Sequence, residues 1–379
     1  MGKIKELATV GSGDLFGNGL SAIFWFFLAS QIEPGAYGEL QWFIGIAAIF
    51  SSVALFGNVN TITVYVAKNI PIQSTLNFIS LVASAVLSLT IILLFPTFYT
   101  IDIGILVIAY VINTLAVGDL LGKKEFSNYS KYTVIQKGLT LGIGLLFFYI
   151  FGYEAILFAL ALTYVLHFKR IISIFRNIKI NFNLVKERIG FITNNYFTFL
   201  ISGSIGTGQV DKIIVAPILG FTVLGNYSLG LQILGIMMIF STIFYKYILT
   251  QDSSGINLRK LKGIVILISI VMAILGIIVG PILIDAFFPK YLETKVVIQI
   301  LSINVIPGTI AYIFQSQLLG NEKSRTVLIG TGVSLFVLIV LTIILGINFG
   351  IIGVAISLII SSCTKVGFYS IEYVKRRVN

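Results

Sequence analysis

Charged side chains that interrupt long apolar stretches are the residues of this sequence whose types could carry out chemistry. Asp14 lies about two turns into the first apolar stretch, and no basic residue stands three or four positions after it. An ionised carboxylate at that depth must face water, a cation or a basic residue of another helix, because an isolated charge is costly in apolar surroundings. Asp14 is therefore predicted to bind a coupling cation, Na+ or H+, or else to have a structural partner.

Two further carboxylates stand close to lysines in the sequence. Asp211 and Lys212 are adjacent near the end of another apolar stretch, and neighbours on a helix point about 100° apart, so each is predicted to meet a different helix. Asp119 is followed four residues later by Lys123, a spacing at which helical side chains pair. The first pair is a candidate for a functional site, and the second pair is interpreted as structural.

Lys137, Lys246 and Lys365 fall within a few turns of the ends of apolar stretches. A lysine in such a position can extend its stem so that the ammonium group reaches the polar boundary. Alternatively, these lysines form a cationic wall that binds a phosphate group. Catalytic signatures are absent: the single histidine, His167, has no metal-ligand spacing, and Gly11-Ser12-Gly13-Asp14 lacks the lysine of a nucleotide-binding loop. No enzyme activity and no metal or organic cofactor is predicted.

Polar and small residues recur at three- and four-residue steps in several apolar stretches, so they share one face of a helix. The four stripes are Gly11, Asp14, Asn18, Ser21 and Trp25; Ser51, Asn58, Thr61 and Tyr65; Asn195, Thr198, Ser202, Gly206 and Gln209; and Gln299, Ser302, Thr309 and Ser316. Such a stripe forms hydrogen bonds between helices or lines a polar cavity. The candidates for a substrate or ion cavity are Asp14, Asn18, Asn58, Lys137, Asn195, Ser202, Gln209, Asp211, Lys212, Gln299 and Lys365.

The composition identifies the elements that must position these residues. The chain has 379 residues, of which 57% are hydrophobic and 11% charged, and its mean hydropathy is +1.00. A soluble domain carries about 25% charged residues, so a soluble globule is excluded, and the high apolar content excludes disorder. The predicted fold class is an all-α polytopic membrane protein with about twelve transmembrane helices of about 20 residues each.

The basic residues fix the predicted orientation of these helices. With both termini on one side of the membrane, all of the 26 lysines and arginines except Lys212, Lys290 and Lys295 fall on or near that side. Basic residues accumulate on the cytoplasmic side, so the protein is predicted to lie in the plasma membrane with both termini in the cytoplasm. This distribution also accounts for the net charge of +11 without a nucleic-acid partner. The basic segment 169–189 is predicted to be a cytoplasmic linker on an anionic lipid surface.

An internal repeat divides the predicted spans into an N-terminal six-helix bundle, 1–168, and a C-terminal six-helix bundle, 190–379. A shift of 190 residues places Gly35, Tyr37, Gly45, Ile46, Ile49, Phe50 and Ser51 on Gly225, Tyr227, Gly235, Ile236, Ile239, Phe240 and Ser241. A shift of 198 residues places Leu120-Leu121-Gly122 on Leu318-Leu319-Gly320 and Phe151-Gly152 on Phe349-Gly350. Six spans per repeat give both bundles the same orientation, so their pseudo-two-fold axis is predicted to run along the membrane normal, which is an architecture of transporters.

Two of these segments resemble a known family. Glu33-Pro34-Gly35-Ala36-Tyr37-Gly38 is similar to the Pro-x-x-Tyr-Gly loop of Wzx-type polysaccharide flippases, and Gln209-Val210-Asp211-Lys212, followed by Leu224-Gly225-Asn226-Tyr227-Ser228, resembles their Asp-basic pair and Gly-x-Tyr loop. The resemblance implies the fold shared by multidrug-and-toxin exporters and MurJ-type lipid II flippases. It also implies export of a lipid-linked oligosaccharide across the plasma membrane.

The expected substrate is therefore a polyprenyl-linked glycan, moved by alternating access between the two bundles. Membrane lipids, and glycan polymerase or transferase machinery, are the expected partners. A cation-coupled multidrug exporter with the same fold is the first alternative, although its cationic substrates call for an acidic cavity. A membrane glycosyltransferase or polymerase is the second, although its chemistry calls for a larger outward loop than the one around Asp285 to Lys295. A scaffold without transport is the third.

Overall fold

The computed structural model describes residues 2–94, 100–201, 209–253, 258–320 and 323–378, and within these ranges the chain is helical, with no strand. The helices of the first half are α1 (Gly2–Gln31), α2 (Pro34–Ala54), α3 (Val59–Ala67), α4 (Gln73–Leu94), α5 (Thr100–Gly122), α6 (Phe126–Phe151), α7 (Ile156–Thr163), α8 (Phe168–Asn177), α9 (Phe182–Glu187) and α10 (Ile189–Phe199). Those of the second half are α11 (Val210–Leu219), α12 (Phe221–Met237), α13 (Ile239–Ser253), α14 (Arg259–Phe287), α15 (Thr294–Ile303), α16 (Val305–Gly320) and α17 (Ser324–Val378).

Many of these helices can cross a membrane. Within the described ranges eight helical segments are long and apolar enough, or nine if α12 and α13, which meet at a bend of 46°, form one span. The prediction of a helical, multi-pass membrane protein is therefore confirmed. The number twelve remains a prediction, because α10 and α11 are each too short to span and α1, with its polar residues, is not among the eight.

The last helix, α17, is a hairpin that turns at Gly350, where φ is 58°. The Ser334 and Ser361 hydroxyl groups lie 2.9 Å apart, and those of Thr331 and Tyr369 lie 3.0 Å apart. The second pair lies farther from Gly350 along the sequence than the first pair does, in both arms. The two arms are therefore antiparallel. The sequence predicts two spans here, 326–347 and 350–374, and this geometry agrees with them.

Positions that the repeat makes equivalent have similar backbone structures. Gly152, the counterpart of Gly350, also has a positive φ, at 83°. The amide of Glu125 donates to the carbonyl oxygen of Leu120 at 2.9 Å beyond α5, and the equivalent amide of Lys323 donates to Leu318 at 2.8 Å beyond α16. These local similarities support the internal repeat.

The chain folds into two compact units. Unit 1 comprises Met1–Phe27 and Phe43–Ile205, and unit 2 comprises Leu28–Trp42 and Gly206–Asn379. The end of α1 and the start of α2 thus pack with the second half of the chain. The reason lies in a crossing within unit 2, where a Cβ at Gly38 would overlap the carbonyl oxygen of Phe221, and a Cβ at Gly225 would overlap that of Pro34.

Unit 1 contains a core to which the basic linker contributes. Ile171 and Ile174 of α8 are 2% and 3% exposed and pack in the same apolar cluster as Ile62 and Leu115, whereas Lys169 and Arg176 are exposed. Burial of each isoleucine contributes roughly 2 kcal/mol. The linker therefore contains an amphipathic helix, α8, that packs on the core of unit 1, and the predicted contact of the linker with anionic lipid remains a prediction.

Helices α3 and α5 end in the same way. In each, two amides beyond the helix bond back to its last turn: Asn69 to Val66 and Ile70 to Tyr65 after α3, then Lys124 to Leu121 and Glu125 to Leu120 after α5. This is a Schellman motif, whose first residue past the cap has a left-handed conformation and is commonly glycine. After α3 this residue is Asn69, with φ 55°, and after α5 it is Lys124, with φ 58°. A lysine in the left-handed conformation lowers the stability of the fold by roughly 1 kcal/mol or more.

Candidate functional site

A buried charged cluster lies in unit 2 at the start of α11. Asp211 is 1% exposed, and its Oδ2 accepts a hydrogen bond from the Tyr227 hydroxyl of α12 at 2.8 Å. Its Oδ1 accepts a hydrogen bond from the backbone amide of Lys212 at 2.9 Å. A carboxylate in the first turn of a helix also interacts favourably with the helix dipole. Two hydrogen bonds and the helix dipole therefore stabilise the ionised carboxylate of Asp211 in its buried position.

The side chain of Lys212 points to a different helix, as its adjacency to Asp211 predicts. Its ammonium group donates to Gln41 Oε1 of α2 at 3.0 Å, and Gln41 is 2% exposed. The next residue of α2, Trp42, donates its indole N–H to the carbonyl oxygen of Ile213 at 3.4 Å. Among the described residues no carboxylate forms an ion pair with Lys212, and an ammonium group has three donors. This cation can therefore bind a further acceptor.

A second group of candidates lies in unit 1, on the facing helices α1 and α6. A Cβ at Gly13 would overlap Ser130, and a Cβ at Gly144 would overlap Phe24, so the two helices are parallel and in close contact. This approach brings the Tyr129 hydroxyl to 2.8 Å from Asp14 Oδ1, to which it donates. Asp14 is half-buried. The predicted structural partner of Asp14 is thus present, and the predicted role in cation coupling remains a prediction.

Lys137 and Asn18 belong to the same pair of helices. Lys137 is half-buried, and its Cγ would lie 3.4 Å from a Cβ built at Gly17, so its stem runs along α1. Asn18, one turn after Asp14, is exposed. The fold thus places these three candidates on two helices that touch each other.

Asn58 has a local structural role. It lies in the break between α2 and α3, is fully buried, and caps α3 because its Oδ1 accepts the backbone amide of Thr61 at 3.0 Å. The neighbouring Gly57 amide donates to the Ser80 hydroxyl of α4 at 3.0 Å. This break was not expected from the sequence, which reads as one continuous span.

The remaining candidates are dispersed. Asn195 is half-buried in α10, Gln209 precedes α11, Gln299 is exposed on α15, and Lys365 is half-buried in the second arm of α17. Ser202 and Lys246 fall outside the described residues and described side chains, respectively. Only Gln209 joins one of the two groups, since it directly precedes Val210-Asp211-Lys212.

The sequence reasoning missed one buried polar network of unit 1 and most of the partners in a second. Gln136 of α6 donates to Thr140 at 3.2 Å and to Thr163 at 3.1 Å. The spacing of Gln136 and Thr140 in an apolar helix was the available signal. In the second network, Asp119 is fully buried and bonds to Gln73 at 2.9 Å as well as to two basic residues.

Two basic residues pair with Asp119. The predicted pair with Lys123 is confirmed at 2.9 Å, and Arg170 Nε of α8 lies 2.5 Å from the same carboxylate. Arg170 also forms a two-pronged contact with Glu125, at 3.0 Å and 3.2 Å. Glu125 lies between the spans, and the hydrogen bond from Arg170 is the main cause that holds its pKa below the ordinary value. This network is structural, as predicted for its first pair.

Comparison with known proteins shows the fold. No family model matches the chain, and no curated protein matches it. Among solved structures, the lipid II flippase MurJ in an inward closed conformation is similar, with a TM-score of 0.74 at 15% identity over 96% of this chain and 87% of that one. An inward-facing multidrug resistance MATE family transporter of the MOP superfamily is similar, with a TM-score of 0.66 at 14% identity over 96% of this chain and 95% of that one.

A third similar structure is a MOP superfamily transporter from Pyrococcus furiosus, described as having a binding pocket of reverse polarity. Its TM-score is 0.55 at 16% identity, over 98% of this chain and 95% of that one. The chain thus has the fold of MATE transporters and MurJ over nearly its full length.

Proposed function

We propose that this chain is a transporter that moves a polyprenyl-linked oligosaccharide across the plasma membrane by alternating access. Two kinds of observation support the proposal: the fold, which it shares with a lipid II flippase, and the motifs that resemble Wzx-type flippases. In this proposal the sugars and phosphate cross through a polar path, while the polyprenyl tail stays in the bilayer. Both termini face the cytoplasm, as the distribution of basic residues predicts.

The anionic substrate is proposed because the membrane-embedded lysines and carboxylates differ in how far they are already paired within the protein. Lys137 and Lys365 form no ion pair with any described residue, and Lys212, whose charge is attracted by the adjacent Asp211, has no described carboxylate within ion-pair distance. The buried carboxylates of Asp119 and Asp211, in contrast, already accept several hydrogen bonds. The embedded charge available to a substrate is therefore mainly positive, and it suits the phosphate or pyrophosphate of a lipid-linked glycan.

Groups suited to sugars lie in unit 2. The rings of Tyr245 and Tyr312 are 5.1 Å apart, with an interplanar angle of 35°, and Gln315 donates to the Tyr245 hydroxyl at 3.3 Å. All three side chains are half-buried. Tyrosine presents an apolar face together with a hydroxyl group, and glutamine both donates and accepts, which is the combination that a sugar ring requires.

We further propose that a Na+ or H+ gradient acts through Asp14. A cation shifts a two-state equilibrium when it binds one state better than the other, and the Tyr129 hydroxyl is placed to respond to a change in the charge of Asp14. Asp14→Asn is then expected to abolish the dependence of transport on the ion gradient. Transport by Asp14→Asn with an unchanged ion dependence would show that Asp14 is not the coupling residue.

The experiment that tests the function compares a deletion strain with its parent. Lipid-linked oligosaccharides are extracted, then identified and quantified by mass spectrometry, and surface glycan is measured in parallel. We expect lipid-linked glycan to accumulate and surface glycan to fall, and the mass of the accumulated species identifies the cargo. Glycan polymerase or transferase machinery is the expected partner that consumes the exported product.

A multidrug exporter is the second candidate, because several MATE transporters share the fold over 95% or more of their length. The half-buried carboxylate of Asp14 is the residue that favours it, since cationic drugs require an acidic group. Unchanged glycan in the deletion strain, together with new sensitivity to cationic dyes, would support this candidate and exclude the flippase.

A further inference from the structure

A break in the backbone lies within one of the segments that can cross the membrane. The segment Pro34–Ala67 is long and apolar enough to span, yet its two helices, α2 and α3, are separated by residues 55–58. Backbone that leaves the helix at such a depth must find its hydrogen bonds within the protein or from bound water. Side chains satisfy two amides here, because Ser80 accepts from Gly57 and Asn58 Oδ1 accepts from Thr61.

Helix α4 passes close to this break. The Ser80 hydroxyl lies 3.0 Å from the Gly57 nitrogen, and a Cβ built at Gly57 would lie 3.1 Å from Leu76 Cβ. Asn77 lies between these two contacts in the sequence, and it shares a face of α4 with Ser80 because three residues separate them. Asn77 is therefore directed toward the break and its first polar side chain, Asn58.

Three side chains at this place have polar atoms that these bonds do not use. Asn58, Thr61 and Asn77 are all fully buried. Among the residues that the structure describes, none is a hydrogen-bond partner for Asn58 Nδ2, Thr61 Oγ1, Asn77 Nδ2 or Asn77 Oδ1. Buried polar groups are nearly always hydrogen-bonded to protein or to ordered water, because an unpaired group retains the full cost of its lost hydration. Four such atoms in one part of unit 1 indicate a small polar ligand.

The kinds of atom identify the class of this ligand. The Asn58 amide has a fixed orientation, since its oxygen accepts from the Thr61 backbone, so its Nδ2 can only donate. Asn77 offers two donor hydrogens and one acceptor oxygen, and the Thr61 hydroxyl both donates and accepts. A metal cation would meet the two amide donors, and an anion would meet the Asn77 oxygen, so neither ion suits the whole set. Water both donates and accepts, and a buried water molecule typically makes about three such bonds.

We propose that the break between α2 and α3 binds ordered water, which Asn58, Thr61 and Asn77 hold against α4. Water that inserts at a break is a known cause of kinks in helices, and water-mediated hydrogen bonds are nearly as favourable as direct ones. Because such bonds can re-form in new directions, α3 can change its angle to α2 without leaving a buried polar group unpaired. The site does not depend on the proposed function, so it stands whether the cargo is a glycan or a drug.

The first test compares two buried threonines in different surroundings. Thr342 of α17 is 1% exposed, and its hydroxyl also lacks a partner among the described residues, but Leu338, Ile339 and Leu345, about one turn away, are apolar. Valine has nearly the shape of threonine and lacks the hydroxyl. We expect Thr61→Val to lose a hydrogen bond to water and to lower the unfolding temperature of the full-length protein in detergent by about 2 °C. Thr342→Val removes an unpaired hydroxyl and should raise it. An increase for both variants would overturn the proposal.

The second test identifies the ligand directly. The structure of the full-length protein in phosphatidylcholine nanodiscs is determined by electron microscopy at a resolution that shows ordered water, once in sodium chloride and once in choline chloride. We expect density at hydrogen-bond distance from Asn58 Nδ2 and from the Asn77 amide in both buffers. Density that disappears in choline chloride would identify a metal cation, and the lack of density in both buffers would identify unpaired polar groups. Either of these results would contradict bound water.

Discussion

The carboxylate of Asp211 has almost no access to solvent, and two hydrogen bonds replace the water that it has lost. One comes from the backbone of the next residue and cannot be removed by a side-chain substitution. The other comes from the Tyr227 hydroxyl, whose ring is itself fully buried. The stability of this cluster is therefore open to a simple test.

Tyr227→Phe is expected to lower the free energy of unfolding by roughly 1.5–3 kcal/mol, because it removes one hydrogen bond from a buried charged acceptor. The measurement is denaturant unfolding of the protein in detergent. Tyr149→Phe is the matched control, since Tyr149 is 72% exposed, and it should change the value by less than about 0.5 kcal/mol. Equal effects of the two substitutions would show that the bond to Asp211 contributes nothing.

The three embedded lysines offer a test of the anionic substrate. If a lysine holds the phosphate, its change to Met removes a charged hydrogen bond and should reduce transport about tenfold or more. Lys137→Met, Lys212→Met and Lys365→Met are each compared with the corresponding Arg variant, which keeps the charge. Transport is measured as the movement of labelled lipid-linked glycan from one leaflet of a vesicle membrane to the other. Wild-type transport by all three Met variants would contradict an anionic substrate.

At the scale of helices, some features could be predicted from the sequence and others could not. The turn at Gly350 follows from a glycine after an apolar stretch, and the amphipathic α8 follows from its pattern of isoleucines and basic residues. The break at Asn58 was not predicted: Gly57, Asn58 and Asn60 interrupt the apolar run, but polar residues at these positions also fit the polar face of one continuous span. Packing stabilises the break, because the Ser80 hydroxyl of α4 accepts a hydrogen bond from the backbone amide of Gly57.

The site shows the same limit. The pairing of Asp119 with Lys123 was predictable because four residues separate them within one helix. The bonds from Arg170 to Asp119 and from Lys212 to Gln41 join residues 51 and 171 positions apart, so only the tertiary fold reveals them. Sequence reasoning thus found the charged residues but not most of their partners.

The network at the end of α5 predicts a dependence of stability on pH. The hydrogen bond from Arg170 lowers the pKa of Glu125 in the folded state, so the folded protein is stabilised when Glu125 is ionised. This stabilisation is complete above the ordinary glutamate pKa of about 4.3 and is lost as the pH falls through the lowered folded value. We expect Glu125→Gln to lower the unfolding temperature near neutral pH and to match the wild type in strong acid. Parallel pH curves would contradict this.

At the scale of the whole molecule, the orientation of the chain is the prediction with the widest consequences. In a Cys363→Ser background, Ser127→Cys and Glu293→Cys place single thiols at exposed positions on the two predicted sides of the membrane. A reagent that cannot cross membranes should label Glu293→Cys in intact cells and Ser127→Cys only after permeabilisation. The reverse pattern would place the termini outside. The predicted bundles, 1–168 and 190–379, share this orientation if the repeat is correct.

The crossing of α2 and α12 determines which missense alleles of the gene can survive selection. Gly38 and Gly225 sit where the two backbones touch, so every other amino acid would bring a Cβ into an occupied position. Each missense change of these two codons, even to alanine or serine, should therefore be lost when a library of alleles competes for growth that depends on the protein. Gly235 and Gly367, where a Cβ meets no other atom within 4 Å, should tolerate alanine in the same library.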